Sequence, residues 1–241
     1  MMLELKQLET IQNTYQTTTD NIVREYAQHL FISSFYRTEG VENILFKGGT
    51  ALRFAYRSPR FSEDLDFSAS GVGFSDVEKI ILNTLVDLTN QGLKCEIEES
   101  KETTGGYLAK LFVVIGAKRA SVEIQISFRE RKTAERDNLN IVNEYIPTYV
   151  ANLLPEKELV GEKIQAALTR SKPRDCFDVY FLIRQGLVPV GEREGLRKLK
   201  EVLSRKEIKF SGELSLFLPR SMKQLAESFP EPLLSEIDKF F

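Results

Sequence analysis

The sequence contains few of the residue types on which several common chemistries depend. It has one histidine, His29, two cysteines and no tryptophan in 241 residues. A single histidine argues against histidine-based metal clusters and against a Ser-His-Asp mechanism. The cysteines, Cys95 and Cys176, are far apart and lack the spacing of a metal site. We therefore expect free thiols in a reducing compartment.

Long apolar runs and a strong net charge are also missing. No run approaches the roughly 20 apolar residues of a membrane span, and the first ten residues, MMLELKQLET, have no apolar signal region. We expect a cytoplasmic protein without a membrane partner. The net charge is −2, although residues 163–209 hold twelve Lys and Arg against six Asp and Glu. This excess is compatible with binding a polyanion, but charge alone favours an ordinary solvated helical surface.

The apolar pattern predicts an α+β fold, with a mixed β-sheet flanked by helices and a helical C-terminal part. Two helices are expected in residues 4–37 and another in residues 74–92. Strands are predicted at NILFKGG, DLDFSAS, LKCEIEES, YLAKLFVVI and SVEIQISFRE. Residues 133–155 are predicted to be irregular. We divide the chain into residues 1–132, the N-terminal helices with the catalytic core, and residues 133–241, mostly helical.

Two aspartates lie in one of the predicted strands, where aspartate is disfavoured. Asp64 and Asp66 are two residues apart, so both carboxylates project from the same face of the strand. Like charges at this separation repel unless a cation lies between them. Mg²⁺ is commonly held by one or two carboxylates and substrate phosphates, as nucleotidyl transfer requires. An exposed edge strand would explain the pair without any function.

A glycine pair precedes these aspartates, where a predicted strand meets a predicted helix. Gly48 and Gly49 would allow close backbone approach, and Thr50 is predicted to cap the helix. Free N–H groups at a helix N-terminus bind phosphate. We predict that Lys47, Gly48, Gly49 and Thr50 bind a nucleotide. A glycine pair alone is weak evidence, but its spacing from the two aspartates strengthens the prediction.

The combination of GGT with RFSEDLDF resembles the core signature of the polymerase-β-like nucleotidyltransferase superfamily, and in particular its AbiEii toxin branch. The resemblance covers roughly residues 40–185. It implies a third carboxylate on a neighbouring strand, for which Glu123 in VEIQIS is the best candidate. An outward-facing charge on an alternating strand would also explain Glu123. Ser62 matches an active-site position of tRNA-modifying members.

A second block, KELVGEKIQAALTRSKPRDCFDVYFLI, resembles the last motif of that branch. The resemblance implies that Lys163 contacts the triphosphate and that Asp175 helps to organise the active site. Arg170 and Arg174 match the basic positions of the motif and are predicted to bind nucleotide, and Asp178 matches an acidic one. Simpler explanations are an Arg174–Asp178 salt bridge and acids that complement a helix N-terminus.

Together these features predict a metal-dependent nucleotidyltransferase that moves an NMP from an NTP to an acceptor hydroxyl. Mg²⁺ or Mn²⁺ would be held by Asp64, Asp66 and Glu123, and these acids with Lys163 and Asp175 form the predicted catalytic set. The resemblance implies the toxin of an AbiE-like toxin–antitoxin system, with a cognate antitoxin protein and tRNA as the acceptor. The alternatives are a phosphotransferase or protein-nucleotidylating enzyme on the same fold, and a silent nucleotide-binding module.

Overall fold

The structure, a computed structural model, describes residues 3–129, 135–205 and 208–241. These residues form two compact units. The first unit runs to Arg57 and resumes from Phe61 to Leu154. The second contains the short stretch Ser58–Arg60 and the residues from Pro155 onward.

The first unit is built on a mixed seven-stranded sheet with the strand order β3-β4-β5-β2-β1-β7-β6. The β2–β5 and β1–β7 pairs are parallel and the other neighbours are antiparallel. This confirms the predicted fold class. Its elements are α1 (Leu5–Tyr15), α2 (Thr19–Phe35), β1 (Ile44–Lys47), α3 (Gly48–Tyr56), β2 (Asp64–Ser70), α4 (Phe74–Asn90), β3 (Lys94–Thr103), β4 (Gly106–Ile115), β5 (Lys118–Arg129), β6 (Asp137–Ile141) and β7 (Tyr149–Leu153).

Two of these strands lie where the sequence predicts irregular chain, so that prediction is wrong for β6 and β7. Residues 133 and 134 of the predicted irregular segment lie outside the described residues. Both strands are short and keep exposed positions, such as Val150, so their apolar pattern is weak. β7 pairs with β1, and β6 pairs with β7. The first unit therefore extends to Leu154, beyond the predicted boundary at residue 132.

The alternation of β2 and β5 separates an apolar face from a polar one. Leu65 on β2 and Ile124 on β5 are register partners and are completely buried. The residues on either side of each one point to the opposite face, because side chains alternate along a strand. Burial of this apolar face thus fixes which side of the sheet carries the acidic residues.

Helix α2 is buried along most of its length, and not only on one stripe. Its buried positions include the polar residues Glu25, Gln28 and His29. His29 stacks on Phe54 with ring centroids 3.7 Å apart, and its Nδ1 lies 2.8 Å from the Tyr149 hydroxyl. Burial holds the pKa of His29 well below its usual value, and nearby Arg53 adds to this effect. A buried polar side chain needs partners, and those of Glu25 and Gln28 lie beside the site described below.

The second unit is helical from Pro155 onward. Its helices are α5 (Glu156–Arg170), α6 (Pro173–Arg184), α7 (Arg193–Arg205), α8 (Ser211–Phe217), α9 (Lys223–Glu227) and α10 (Glu231–Lys239). Helix α7 buries Leu196, Leu199 and Leu203 at helical spacing and exposes charged residues on its other face. Among the residues that the structure describes, no helix has the length and apolarity needed to cross a bilayer.

Candidate active site

The paired aspartates open strand β2 and share its polar face. Asp64 and Asp66 are half-buried, whereas Leu65 between them is completely buried on the apolar face. In the parallel β2–β5 pair, Asp64 is the register partner of Glu123, and Asp66 is the partner of Gln125. Neighbouring strands lie about 4.8 Å apart. The structure therefore places the three predicted acids on one face of two adjacent strands.

The side chains of these acids do not form one compact cluster. The Glu123 Oε1 atom accepts a hydrogen bond from Gln125 Nε2 at 2.7 Å. In the described part of the chain, no group of three or more His, Cys, Asp and Glu side chains is close enough to hold a metal ion. The arrangement offers two carboxylates on β2, with Glu123 one strand away.

Gly48 lies directly against the side chain of Asp66. Its φ is +81°, a conformation that favours glycine. A Cβ atom added to Gly48 would lie 2.1 Å from Asp66 Oδ2. Only glycine permits this approach, so the Asp66 carboxylate lies directly against the first residue of α3. The partial positive charge of a helix N-terminus stabilises a carboxylate there.

The other residues of the predicted phosphate cradle are less accessible than the sequence suggests. Helix α3 begins at Gly48 with Lys47 as its N-cap, so the prediction that Thr50 caps the helix is wrong. Thr50 is 1% exposed, and its hydroxyl donates to the Asp64 carbonyl at 2.5 Å. Gly49 and Lys47 are also buried. The glycine pair enters the helix, and this moves Thr50 from the cap into the first turn.

The segment before β2 is held by α2, which sequence reasoning did not connect with the site. The Gln28 side-chain amide donates to the Ser62 carbonyl at 3.2 Å and to the Glu63 carbonyl at 2.8 Å. Arg24 forms an ion pair with Glu63 at 3.4 Å. The predicted site residue Ser62 thus presents its backbone to α2. Polar residues inside an apolar helix were the available signal, but they do not identify their partners.

A buried ion pair lies beside this segment and was also missed. Arg53 of α3 pairs with Glu25, which in addition accepts a hydrogen bond from the Tyr145 hydroxyl at 3.0 Å. The Arg53 guanidinium lies 3.5 Å from the centroid of the Phe61 ring. Burial raises the pKa of Tyr145 far above its usual value, and the Glu25 carboxylate adds to the rise. The tyrosine therefore remains a neutral donor.

In the second unit, Lys163 takes part in a buried charge cluster. Its Nζ atom lies 2.8 Å from Asp178 Oδ2, and Arg60 grips the same carboxylate through Nε at 2.8 Å and a terminal nitrogen at 2.9 Å. Burial would raise the pKa of Asp178, but the two cations outweigh it and lower the pKa below its usual value. With two cations on one carboxylate, the three groups carry a net positive charge. Arg60 was not predicted, although it lies inside RFSEDLDF.

The remaining residues of the last motif form separate pairs. Arg170 donates to Asp175 Oδ1 at 2.9 Å, and Arg174 lies 3.6 Å from Glu213. The simple alternative of an Arg174–Asp178 salt bridge is thus not what the structure contains. Asp175 lies in the first turn of α6 and is 3% exposed. Its Oδ2 atom is buried and has no hydrogen-bond partner among the described residues.

The predicted site residues therefore fall into two sets, one in each unit. The acids of β2 and β5 and the start of α3 belong to the first unit, and Lys163, Arg170, Arg174 and Asp175 belong to the second. In chemical terms, the first set offers carboxylate oxygens, which Mg²⁺ prefers, and the second offers cationic groups suited to phosphate.

Comparison with known proteins identifies one family. Residues 31–238 match the family model described as "Nucleotidyl transferase AbiEii toxin, Type IV TA system". Among curated proteins, none matches the chain in sequence.

Two solved structures from Helicobacter pylori share the fold. JHP933 superposes with a TM-score of 0.65 at 17% identity, covering 93% of each chain. A protein described as a candidate nucleotidyltransferase superposes with a TM-score of 0.66 at 17% identity, covering 92% of this chain and 95% of its own. At this identity the likeness concerns the fold.

Proposed function

The chain belongs to the AbiEii family of nucleotidyltransferase toxins of type IV toxin–antitoxin systems, and from this premise we propose which of its residues bind the metal ion and which bind the nucleotide. The predicted family and enzyme class are confirmed by the family match. The proposal concerns the finer points: an NMP moves from an NTP to an acceptor hydroxyl with the help of Mg²⁺, and pyrophosphate leaves.

Asp64 and Asp66 are the proposed metal ligands. The supporting observation is their shared face on β2, with Glu123 in register on β5 and Asp66 seated against Gly48. Two carboxylates suit Mg²⁺, which completes its shell with water and substrate phosphates. Bound Mg²⁺ would neutralise phosphate charge and activate the attacking oxygen. In this proposal Glu123 gives up its hydrogen bond from Gln125. Its carboxylate then turns toward Asp64 and Asp66, with which it shares a face of the sheet.

Each unit has its own proposed phosphate-binding group, which is the start of α3 in the first unit and the cations of the last motif in the second. At α3, Gly48 is the half-exposed member of the glycine pair, so its backbone is the best placed for phosphate. In the second unit, Lys163 shares Asp178 with Arg60. Lys163 is the proposed phosphate contact in this unit, because its ammonium group suits an anionic substrate. Arg170 is exposed and is the other proposed phosphate contact.

RNA is the proposed acceptor and an antitoxin the proposed partner. The basic segment within residues 163–209 includes exposed Arg193, Arg197 and Lys198 on α7, and a basic helix face suits a polyanion. Arg197 and Lys198 also pair with Glu194 in the same helix. The antitoxin follows from the type IV toxin–antitoxin family.

Transfer of label from NTP to total tRNA tests the proposal. With α-³²P-labelled nucleotide we expect label on tRNA from the wild type and a loss greater than about 100-fold for Asp64→Asn or Asp66→Asn, since even outer-shell partners of a metal cost about 10–100-fold. The exposed Asp20 pairs with Lys118 at 3.2 Å, so Asp20→Asn is a matched control that should retain activity.

Three outcomes would change the proposal. Wild-type labelling by either β2 variant would remove these acids from catalysis. Label from γ-³²P rather than α-³²P nucleotide would indicate a phosphotransferase instead. Label on protein instead of tRNA would replace the proposed acceptor while keeping the transfer.

A further inference from the structure

The backbone that leads into β2 depends on side-chain donors. Pairing of β2 with β5 starts at Asp64, and pairing with β1 reaches only Asp66. Ser62 and Glu63 therefore precede both ladders. Backbone carbonyls shielded from water need a donor, and these two half-buried residues accept from the side-chain amide of Gln28, at 3.2 Å and 2.8 Å.

Gln28 is chemically matched to this task. Its side-chain nitrogen carries two hydrogens, one for each carbonyl. The residue is 1% exposed, in a helix whose neighbouring positions are mostly apolar. An amide buried so deeply is costly unless its hydrogen bonds are made. A methionine of similar length would fill the same space without that requirement.

Asp64 is thereby held from both sides. Gln28 fixes the carbonyl of the preceding residue, Glu63, and the Thr50 hydroxyl fixes the carbonyl of Asp64 itself at 2.5 Å. The two peptide planes that flank the Asp64 α-carbon are tied to α2 and α3. Those planes determine the direction in which the carboxylate leaves the strand.

We infer that Gln28 is a positioning residue, which holds the Asp64 carboxylate in the orientation needed to bind the divalent cation of the transfer reaction. The inference rests on the proposed metal role of Asp64. Gln28 acts through the backbone and does not itself contact metal or substrate. Groups that orient metal ligands typically contribute about 10–100-fold to metal affinity or activity.

The test compares Gln28→Met with a control on the same helix. Ser34 is completely buried and donates to Asp87, and Ser34→Ala removes a hydrogen bond of α2 that does not involve β2. For each variant, Mn²⁺ binding is measured by electron paramagnetic resonance with a non-hydrolysable NTP analogue. Half-saturating Mg²⁺ in tRNA labelling and the thermal midpoint are measured alongside.

For Gln28→Met we expect Mn²⁺ affinity to fall about tenfold and half-saturating Mg²⁺ to rise about as much, the lower end of the range for orienting groups. Ser34→Ala should lower the thermal midpoint without moving either metal constant. If Gln28→Met changes only the midpoint, Gln28 is merely structural and the inference is overturned.

The Asp64→Asn variant distinguishes a failure of the inference about Gln28 from a failure of the proposed metal site. If Asp64→Asn leaves Mn²⁺ binding unchanged, the proposed metal site is wrong and the inference falls with it. If Asp64→Asn weakens binding but Gln28→Met does not, only the inference fails.

Gln28→Glu provides a second variant of the same shape, should Gln28→Met not fold. A carboxylate there would face two carbonyl oxygens and repel them, whereas the protonated acid regains one O–H donor. The Mn²⁺ affinity of Gln28→Glu, relative to wild type at the same pH, should recover as the pH falls. A ratio independent of pH would overturn the inference.

Discussion

Replacing Gly48 by alanine should affect the transfer rate and the stability by different amounts, because the added Cβ both clashes with Asp66 and strains the backbone. The glycine has φ +81°, and a Cβ atom there would lie 2.1 Å from Asp66 Oδ2 and 2.8 Å from both Cβ and Cγ of Asp66. Real Cβ atoms do not approach other heavy atoms this closely. In Gly48→Ala, either the Asp66 side chain or the start of α3 must move.

The magnitude has two parts. A left-handed backbone costs an L-residue about 1–2 kcal/mol of stability. Relieving the clash requires a shift on the order of 1 Å, and misplacing a catalytic group by that distance can cost about 100-fold in rate. We therefore expect a modest fall in the free energy of unfolding and a large fall in kcat/KM for tRNA labelling.

Gly92 supplies the matched control. Its φ is +88°, and an added Cβ would have no heavy atom within 4 Å. Gly92→Ala should lose the same amount of stability, about 1–2 kcal/mol by denaturant unfolding, but keep the wild-type transfer rate. If Gly48→Ala transferred nucleotide as fast as Gly92→Ala, the contact between Gly48 and Asp66 would have no catalytic meaning.

Three further predictions concern single groups. Thr50→Val removes the donor to the Asp64 carbonyl, so it should lose about 1 kcal/mol of stability by thermal unfolding and transfer nucleotide several-fold more slowly. Thr50→Ser keeps the hydroxyl and should retain both the stability and the transfer rate. Equal transfer rates for the two variants would refute this. Asp178→Asn leaves two buried cations poorly paired and should lower the free energy of unfolding by about 3 kcal/mol or more. Arg174→Ala removes a partly exposed ion pair and should lower it by less than about 1 kcal/mol. Similar losses of stability in the two variants would contradict the importance of the buried cluster. The lowered pKa of Asp178 means that its stabilising effect is present above the ordinary aspartate pKa of about 3.9 and is lost as pH falls below it. The stability difference between wild type and Asp178→Asn in urea should thus shrink below about pH 4, and a constant difference would contradict the pKa direction.

Local patterns in the sequence predicted much of the first unit. DLDFSAS and SVEIQISFRE were each predicted to be strands, and both are strands in the structure. It follows that Asp64 and Asp66 share a face, whatever the strand pairs with. The glycine pair likewise marked the start of α3, although the N-cap is Lys47 and not Thr50.

The strands β6 and β7 show where such patterns fail. Each has five residues and retains exposed or half-exposed positions, so period-two alternation is too short to detect. Pairing with β1 makes β7 a strand, and pairing with β7 makes β6 one. The pairing of β7 with β1 depends on a segment far away in the chain, because Phe46 is the register partner of Leu153.

Taken alone, the sequence established which chemical groups are present and how they are spaced locally. It showed two carboxylates on one face of a strand, glycines before a helix, and basic and acidic residues in two helices near residues 163–178. These depend on backbone geometry within a few residues, which the chain itself encodes. Tertiary structure decided the partners. It placed Glu123 beside Asp64 through parallel strand pairing, joined Arg60 to Asp178 across 118 positions, and brought Gln28 to the carbonyl of Glu63 across 35. Such partners are chosen by burial, because a polar group removed from water must find a complementary group wherever the fold brings one.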